Sequence, residues 1–292
     1  MCGIAGLFLK TPDLEPQLGS LTAAMLTALS ERGPDSAGFA IYDAGRPGHV
    51  KLSLCARAGF DFAAFAAAYD VDYMIYDDHV VLMVPVARLA LVQAAVAGHE
   101  QITLTAAGAR MELFKAVGRP ADVVRRFGLE RRSGSHAIGH TRMATESAVT
   151  VNGAHPFSTG TDQCLVHNGS LSNHNDIRRR LMRADMRFAT QNDSEVAAGF
   201  ISHEMRQGAG LGEALEAALG ALDGFFTFVV GTESGFGVLR DPLACKPAVM
   251  AETDDYVAFG SEYRALADLP GIAQARLFEP EPARVYFWQR AA

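Results

Sequence analysis

An α+β fold is what this sequence predicts, and three observations carry it. Short apolar runs of strand length gather in two groups, and helical periodicities are segregated between them. No Ser/Gly/Pro linker, repeat or low-complexity tract interrupts the 292 residues. With 49% hydrophobic residues the chain can fill a large core. One compact domain over residues 2–292 is therefore expected, with Met1 removed.

Taken in order, 3–9 is apolar throughout and reads as a buried strand. Residues 14–29 place apolar side chains at helical spacing and stop at Arg32-Gly33-Pro34. A short strand is expected at 37–42, and 50–56 alternates as another. Mixed short helices and strands fill 60–129, where 101–106 and 110–115 read as a hairpin across Ala107-Gly108-Ala109. Residues 120–131 are helical, with Pro120 at an acceptable early position. Strands at 135–142 and 163–167 flank a loop holding Asn152-Gly153 and His155-Pro156. Helices follow at 173–182, 193–205 and 211–222, then strands at 225–231, 235–240, 248–251 and 256–260, with a last strand within 279–288.

Composition excludes several classes. The balance of 26 basic against 33 acidic residues gives −7, without a long basic run, so nucleic acid is not an expected partner. Cys2, Cys55, Cys164 and Cys245 form no CxxC pair and the nine histidines form no HExxH, so no metal site is expected. No Gly-rich phosphate loop or dinucleotide fingerprint is present. Residues 3–9 are too short for a signal peptide and lack a basic region before them. The most apolar stretch, 80–97, contains Pro85, Arg88 and Gln93, which makes it a poor membrane span. A cytoplasmic protein is expected.

The chemistry begins at Cys2. Met followed by a small residue is the usual substrate for methionine removal, which would give Cys2 a free α-amine beside its thiol. Such an amine titrates near about 7.7 and a thiol near about 8.5, so one residue can supply nucleophile and base. Alone, an early cysteine reads as a small core hydrophobe. Four polar segments accompany it: Arg32-Gly33-Pro34-Asp35-Ser36-Ala37-Gly38, Gly139-His140-Thr141-Arg142, His167-Asn168-Gly169, and Asn192-Asp193-Ser194-Glu195. Each has an ordinary reading by itself: a connection, a surface ion pair, a β-turn closing a strand, and a helix start with Asp193 or Ser194 as N-cap.

As an ordered set with Cys2-Gly3-Ile4-Ala5-Gly6, these segments resemble the class II glutamine amidotransferases. Ala154-His155-Pro156-Phe157, Leu222-Asp223-Gly224-Phe225-Phe226, Arg240-Asp241-Pro242 and Gly260-Ser261-Glu262 extend the resemblance over nearly the whole chain, with 50–132 least diagnostic. It implies the four-layer αββα fold of N-terminal-nucleophile hydrolases, with two stacked, mainly antiparallel sheets between helix layers. It also implies Cys2 as nucleophile, the Asn168 side chain and Gly169 N–H as oxyanion hole, Arg142 on the α-carboxylate of L-glutamine and Asp193 on its α-ammonium. Where sugar amidotransferases carry Trp-Ala-Thr-His after the arginine, this chain reads Met143-Ala144-Thr145-Glu146. Thr145 is expected to line the substrate site, and the histidine's role does not pass to Glu146.

The runs 141–147 and 166–175 look most like stand-alone amidotransferase subunits of glutamate-synthase-like complexes, including the small subunit of N-methylglutamate synthase. That resemblance implies a hetero-oligomer whose partner subunits hold flavin (FMN) and iron–sulfur groups, with no cofactor in this chain. Two other readings stand beside it: an N-terminal-nucleophile amidase acting on a non-glutamine amide, and a non-catalytic scaffold subunit.

Overall fold

The computed structural model describes residues 2–144 and 148–290. The chain runs β1 (Gly3–Leu9), α1 (Leu18–Ala28), β2 (Ser36–Tyr42), β3 (His49–Ala56), α2 (Phe62–Tyr69), β4 (Asp72–Tyr76), β5 (His79–Pro85) and α3 (Leu89–Ala97). Next come β6 (Ile102–Gly108), β7 (Met111–Val117), α4 (Pro120–Arg126), β8 (His136–Arg142), β9 (Phe157–Gly160), β10 (Gln163–Leu171), α5 (His174–Arg183), α6 (Asp193–Arg206) and α7 (Leu211–Ala221). The rest is strand: β11 (Gly224–Gly231), β12 (Gly235–Arg240), β13 (Val249–Glu252), β14 (Tyr256–Gly260), β15 (Arg276–Phe278) and β16 (Val285–Gln289).

Two antiparallel sheets make the body. One has the order β15-β13-β14-β1-β8-β2-β7, the other β16-β12-β11-β10-β9. Because side chains alternate along a strand, each sheet offers one face to the other and one to helices. Ile4, Phe8, Ile138, Val166, Val229 and Phe236 fill the space between the sheets. The next residues along β1, Ala5, Leu7 and Leu9, instead pack with Leu26 of α1 and Val123 of α4. On the far side, Leu165, Phe226 and Phe228 meet Val196, Phe200 and Leu215 of α6 and α7. This is the αββα layering that the family resemblance implies.

Three expectations need correction. The 101–106/110–115 hairpin does not form: β6 pairs with β3 in a separate four-stranded sheet, β4-β5-β3-β6, whereas β7 is the edge of the seven-stranded one. The cause is Asp162, whose carboxylate accepts the N–H groups of Ala109, Arg110 and Met111 at 2.6–2.9 Å and turns the chain between sheets. The helix expected at 14–29 is regular only from Leu18, since Pro16 lacks an N–H and the residues before it form a 3₁₀ turn. Asn168-Gly169 does not close its strand either, because β10 continues to Leu171 paired with β11. Gly169 has φ +146°, and a Cβ there would lie 2.0 Å from the Phe225 carbonyl oxygen, so glycine alone lets the ladder continue. No helix among the described residues is long and apolar enough to cross a membrane.

Candidate active site around Cys2

Cys2 stands at the entrance of β1, a central strand, and β1 pairs with β8 in the register Gly3 with Thr141. That register brings Arg142, the last residue of β8, beside the amino-terminal segment. From the second sheet, β10 delivers Asn168 and Gly169, and the start of α6 delivers Asp193. Cys2, Arg142, Asn168, Gly169 and Asp193 line one cavity of about 470 Å³, together with Arg32, His155, His167 and Lys246. Thr145, Glu146 and Met1 lie outside the described residues.

The polar turn after α1 explains how this corner is held. Arg32, buried, donates from Nε to the Cys2 carbonyl oxygen at 3.0 Å and pairs through Nη1 with Glu262. The Asp35 N–H donates to the Arg142 carbonyl oxygen at 3.1 Å, and Asp35 Oδ2 accepts the Ala144 N–H at 2.8 Å. A Cβ on Gly33 would lie 2.3 Å from the Thr141 carbonyl carbon, so the close approach to β8 requires glycine. The Arg-Gly-Pro-Asp motif thus clamps the end of β8 and the first residues of the chain to each other.

The Met143 N–H donates to Cys2 Sγ at 3.4 Å. Burial pushes the thiol up, but the His140 ring and the Met143 backbone help bring it down to about 7. Asn168 Nδ2 donates to the Cys2 carbonyl oxygen and to Ser261 Oγ, each at 3.3 Å, while Oδ1 meets His140 Nε2 at 3.0 Å. Ser261 Oγ in turn accepts the Ile4 N–H at 2.9 Å.

Asp193 is half-buried as the first residue of α6. Its Oδ2 accepts the Leu171 N–H at 2.9 Å and its Oδ1 accepts from Ser194 Oγ at 3.4 Å, which leaves lone pairs for a cation in the cavity. The N-cap is Asn192, not Asp193 or Ser194: the Asn192 side chain accepts the Ser194 N–H at 2.9 Å. Ser194 Oγ is instead 2.8 Å from His167 Nδ1. Burial pushes His167 down to about 4 against the pull of Asp193, and pushes His155 well below the usual range. Both rings are neutral at pH 7.

Arg32, His140, His155, Ser261 and Glu262 are site residues to which the sequence alone attaches no role. Their only signal is membership in the ordered motifs. Among the described residues, one group has donor atoms close enough to share a metal ion, Cys55, Asp78 and His79, within 4.8 Å of one another. It sits on the four-stranded sheet, with Arg126 Nη2 already 2.7 Å from Asp78.

A protein-family model described as a glutamine amidotransferase domain matches residues 140–268. The "Glutamine amidotransferase-like protein GlxB" of Rhizobium meliloti (strain 1021) is 58% identical over 301 residues, covering all of both chains. "Glutamine--fructose-6-phosphate aminotransferase [isomerizing]" of Mesorhizobium japonicum is 32% identical over 52% of this chain but only 25% of its own length. Among solved structures, the glutamine phosphoribosylpyrophosphate amidotransferase of B. subtilis superposes with a TM-score of 0.64 at 20% identity, over 99% of this chain and 47% of its own. The N-terminal-nucleophile fold is shared with it.

Proposed function

The chain belongs to the class II glutamine amidotransferases, and from that premise we propose that it hydrolyses L-glutamine to L-glutamate and ammonia through a thioester on Cys2. The observation that carries this reading is the convergence, in one cavity, of a half-buried thiol lowered to about 7 with a guanidinium and a carboxylate fit for an amino-acid head group. Arg142 takes the α-carboxylate through its planar fork, and Asp193 takes the α-ammonium. A non-glutamine amide without that zwitterionic head would leave both charges without a substrate partner.

With the head group fixed, Sγ attacks the side-chain amide carbon. Negative charge develops on the amide oxygen, where Asn168 Nδ2 and the Gly169 N–H stabilise it; one such donor is worth about 10²–10³ in rate. The C–N bond breaks as the leaving nitrogen takes a proton, and ammonia departs from a γ-glutamyl thioester. Water then attacks the thioester, glutamate leaves, and Sγ recovers its proton. The α-amine of Cys2, freed by removal of Met1, is the proton carrier for both halves.

Ammonia is mostly protonated at neutral pH and must be consumed where it is released, so the acceptor site is assigned to a partner chain. The runs 141–147 and 166–175 favour a complex of the glutamate-synthase or N-methylglutamate-synthase kind, with flavin and iron–sulfur groups in the partners. A scaffold subunit would have no need of the four converging side chains and the Gly169 backbone. The test is ammonia release by the purified chain from glutamine, asparagine and simple primary amides such as butyramide, alone and with subunits co-purified from the native host. Glutamine-selective hydrolysis, raised by flavin-containing partners, is the expected result. Equal turnover of amides lacking the α-amino and α-carboxylate groups would overturn the substrate assignment.

A further inference from the structure

We propose that His140 is a positioning residue of the glutaminase site, which locks the Asn168 amide with Nδ2 toward Cys2. The proposal rests on the reading of Cys2 and Asn168 given above. His140 lies on β8 two residues before Arg142, opposite Ile4 of β1, and is 1% exposed. Its Nε2 is 3.0 Å from Asn168 Oδ1. An amide oxygen only accepts, so Nε2 carries the proton and Nδ1 is left bare. Nδ1 is buried, with no partner among the described residues.

This tautomer removes an ambiguity that an asparagine otherwise keeps. Turning the amide over would set its NH₂ against the Nε2–H, two buried donors facing each other. Asn168 therefore keeps Nδ2 toward the Cys2 carbonyl and Ser261, on the side where an oxyanion would form. The imidazole is itself held flat by His155, stacked on it at 4.1 Å between centroids with planes 26° apart. The other charged or titratable side chains of the cavity, Arg32, Arg142, His155, His167, Asp193 and Lys246, stay the same in a His140 variant.

Two variants of the full chain test this. His140→Ala removes the donor to Asn168 Oδ1, whereas the amide N–H of His140→Gln can still supply one. The readouts are kcat and KM for glutamine beside the thermal transition of each variant. His140→Ala should lose about 10²-fold in kcat with little change in KM, as expected for a misplaced oxyanion donor. His140→Gln should recover much of that loss. A folded His140→Ala with wild-type kcat would overturn the proposal. So would a His140→Gln that keeps the wild-type thermal transition but loses about 10²-fold in kcat, whether or not the alanine variant folds. If wild type fails to hydrolyse glutamine, the functional reading falls; an active wild type beside either of those variants defeats this proposal alone.

Discussion

Cys2→Ala is expected to lower glutamine hydrolysis by at least about 10⁴-fold while leaving the fold intact. Removing the nucleophile of a covalent mechanism leaves only binding and oxyanion stabilisation, and effects of 10⁴ or more are the rule for such groups. The fold should survive because Cys2 precedes β1 and is half-buried at the rim of a cavity, outside the packed layers. The Cys2 carbonyl, which Arg32 and Asn168 hold, is unaffected by the substitution. A coupled assay for ammonia and a thermal melt on the same preparation check both halves. Activity within tenfold of wild type would remove the nucleophile assignment.

Asp193→Ala is expected to raise KM for glutamine by about 10- to 100-fold, with a smaller effect on kcat. A hydrogen bond to a charged group contributes about 1.5–3 kcal/mol, and the α-ammonium is bound alike in the ground and transition states, which places the loss in KM. Asp193 also accepts the Leu171 N–H, so the alanine variant disturbs the end of β10 as well. Asp193→Asn keeps an acceptor for that N–H and removes the charge. Comparable KM values for the two variants would identify the charge as the cause. A wild-type KM for Asp193→Asn beside a raised one for Asp193→Ala would assign Asp193 to the backbone of β10 rather than to substrate.

The expected strand at 256–260 and the one at 235–240 match β14 and β12, because an apolar run between turn residues leaves little freedom of assignment. The five predicted site residues within the described part of the chain also meet in one cavity. What local pattern could not supply was anything set by a distant partner. Ala107-Gly108-Ala109 looks like a hairpin turn until Asp162, more than fifty residues away, captures its N–H groups. Asp193 looks like a cap because it opens a helix, yet its carboxylate reaches back to Leu171, leaving Asn192 to cap. The role of Arg32 needs the Cys2 carbonyl and Glu262 beside it, 30 and 230 residues away in sequence.

The proposed thioester can be observed directly. Glutamine mixed with the full chain, stopped in acid during turnover and digested, should yield an amino-terminal peptide that begins at Cys2 and carries a γ-glutamyl group. Cys55, Cys164 and Cys245 should stay unmodified. Steady glutamate release with no adduct on that peptide, or with the γ-glutamyl group on any other residue, would contradict the account.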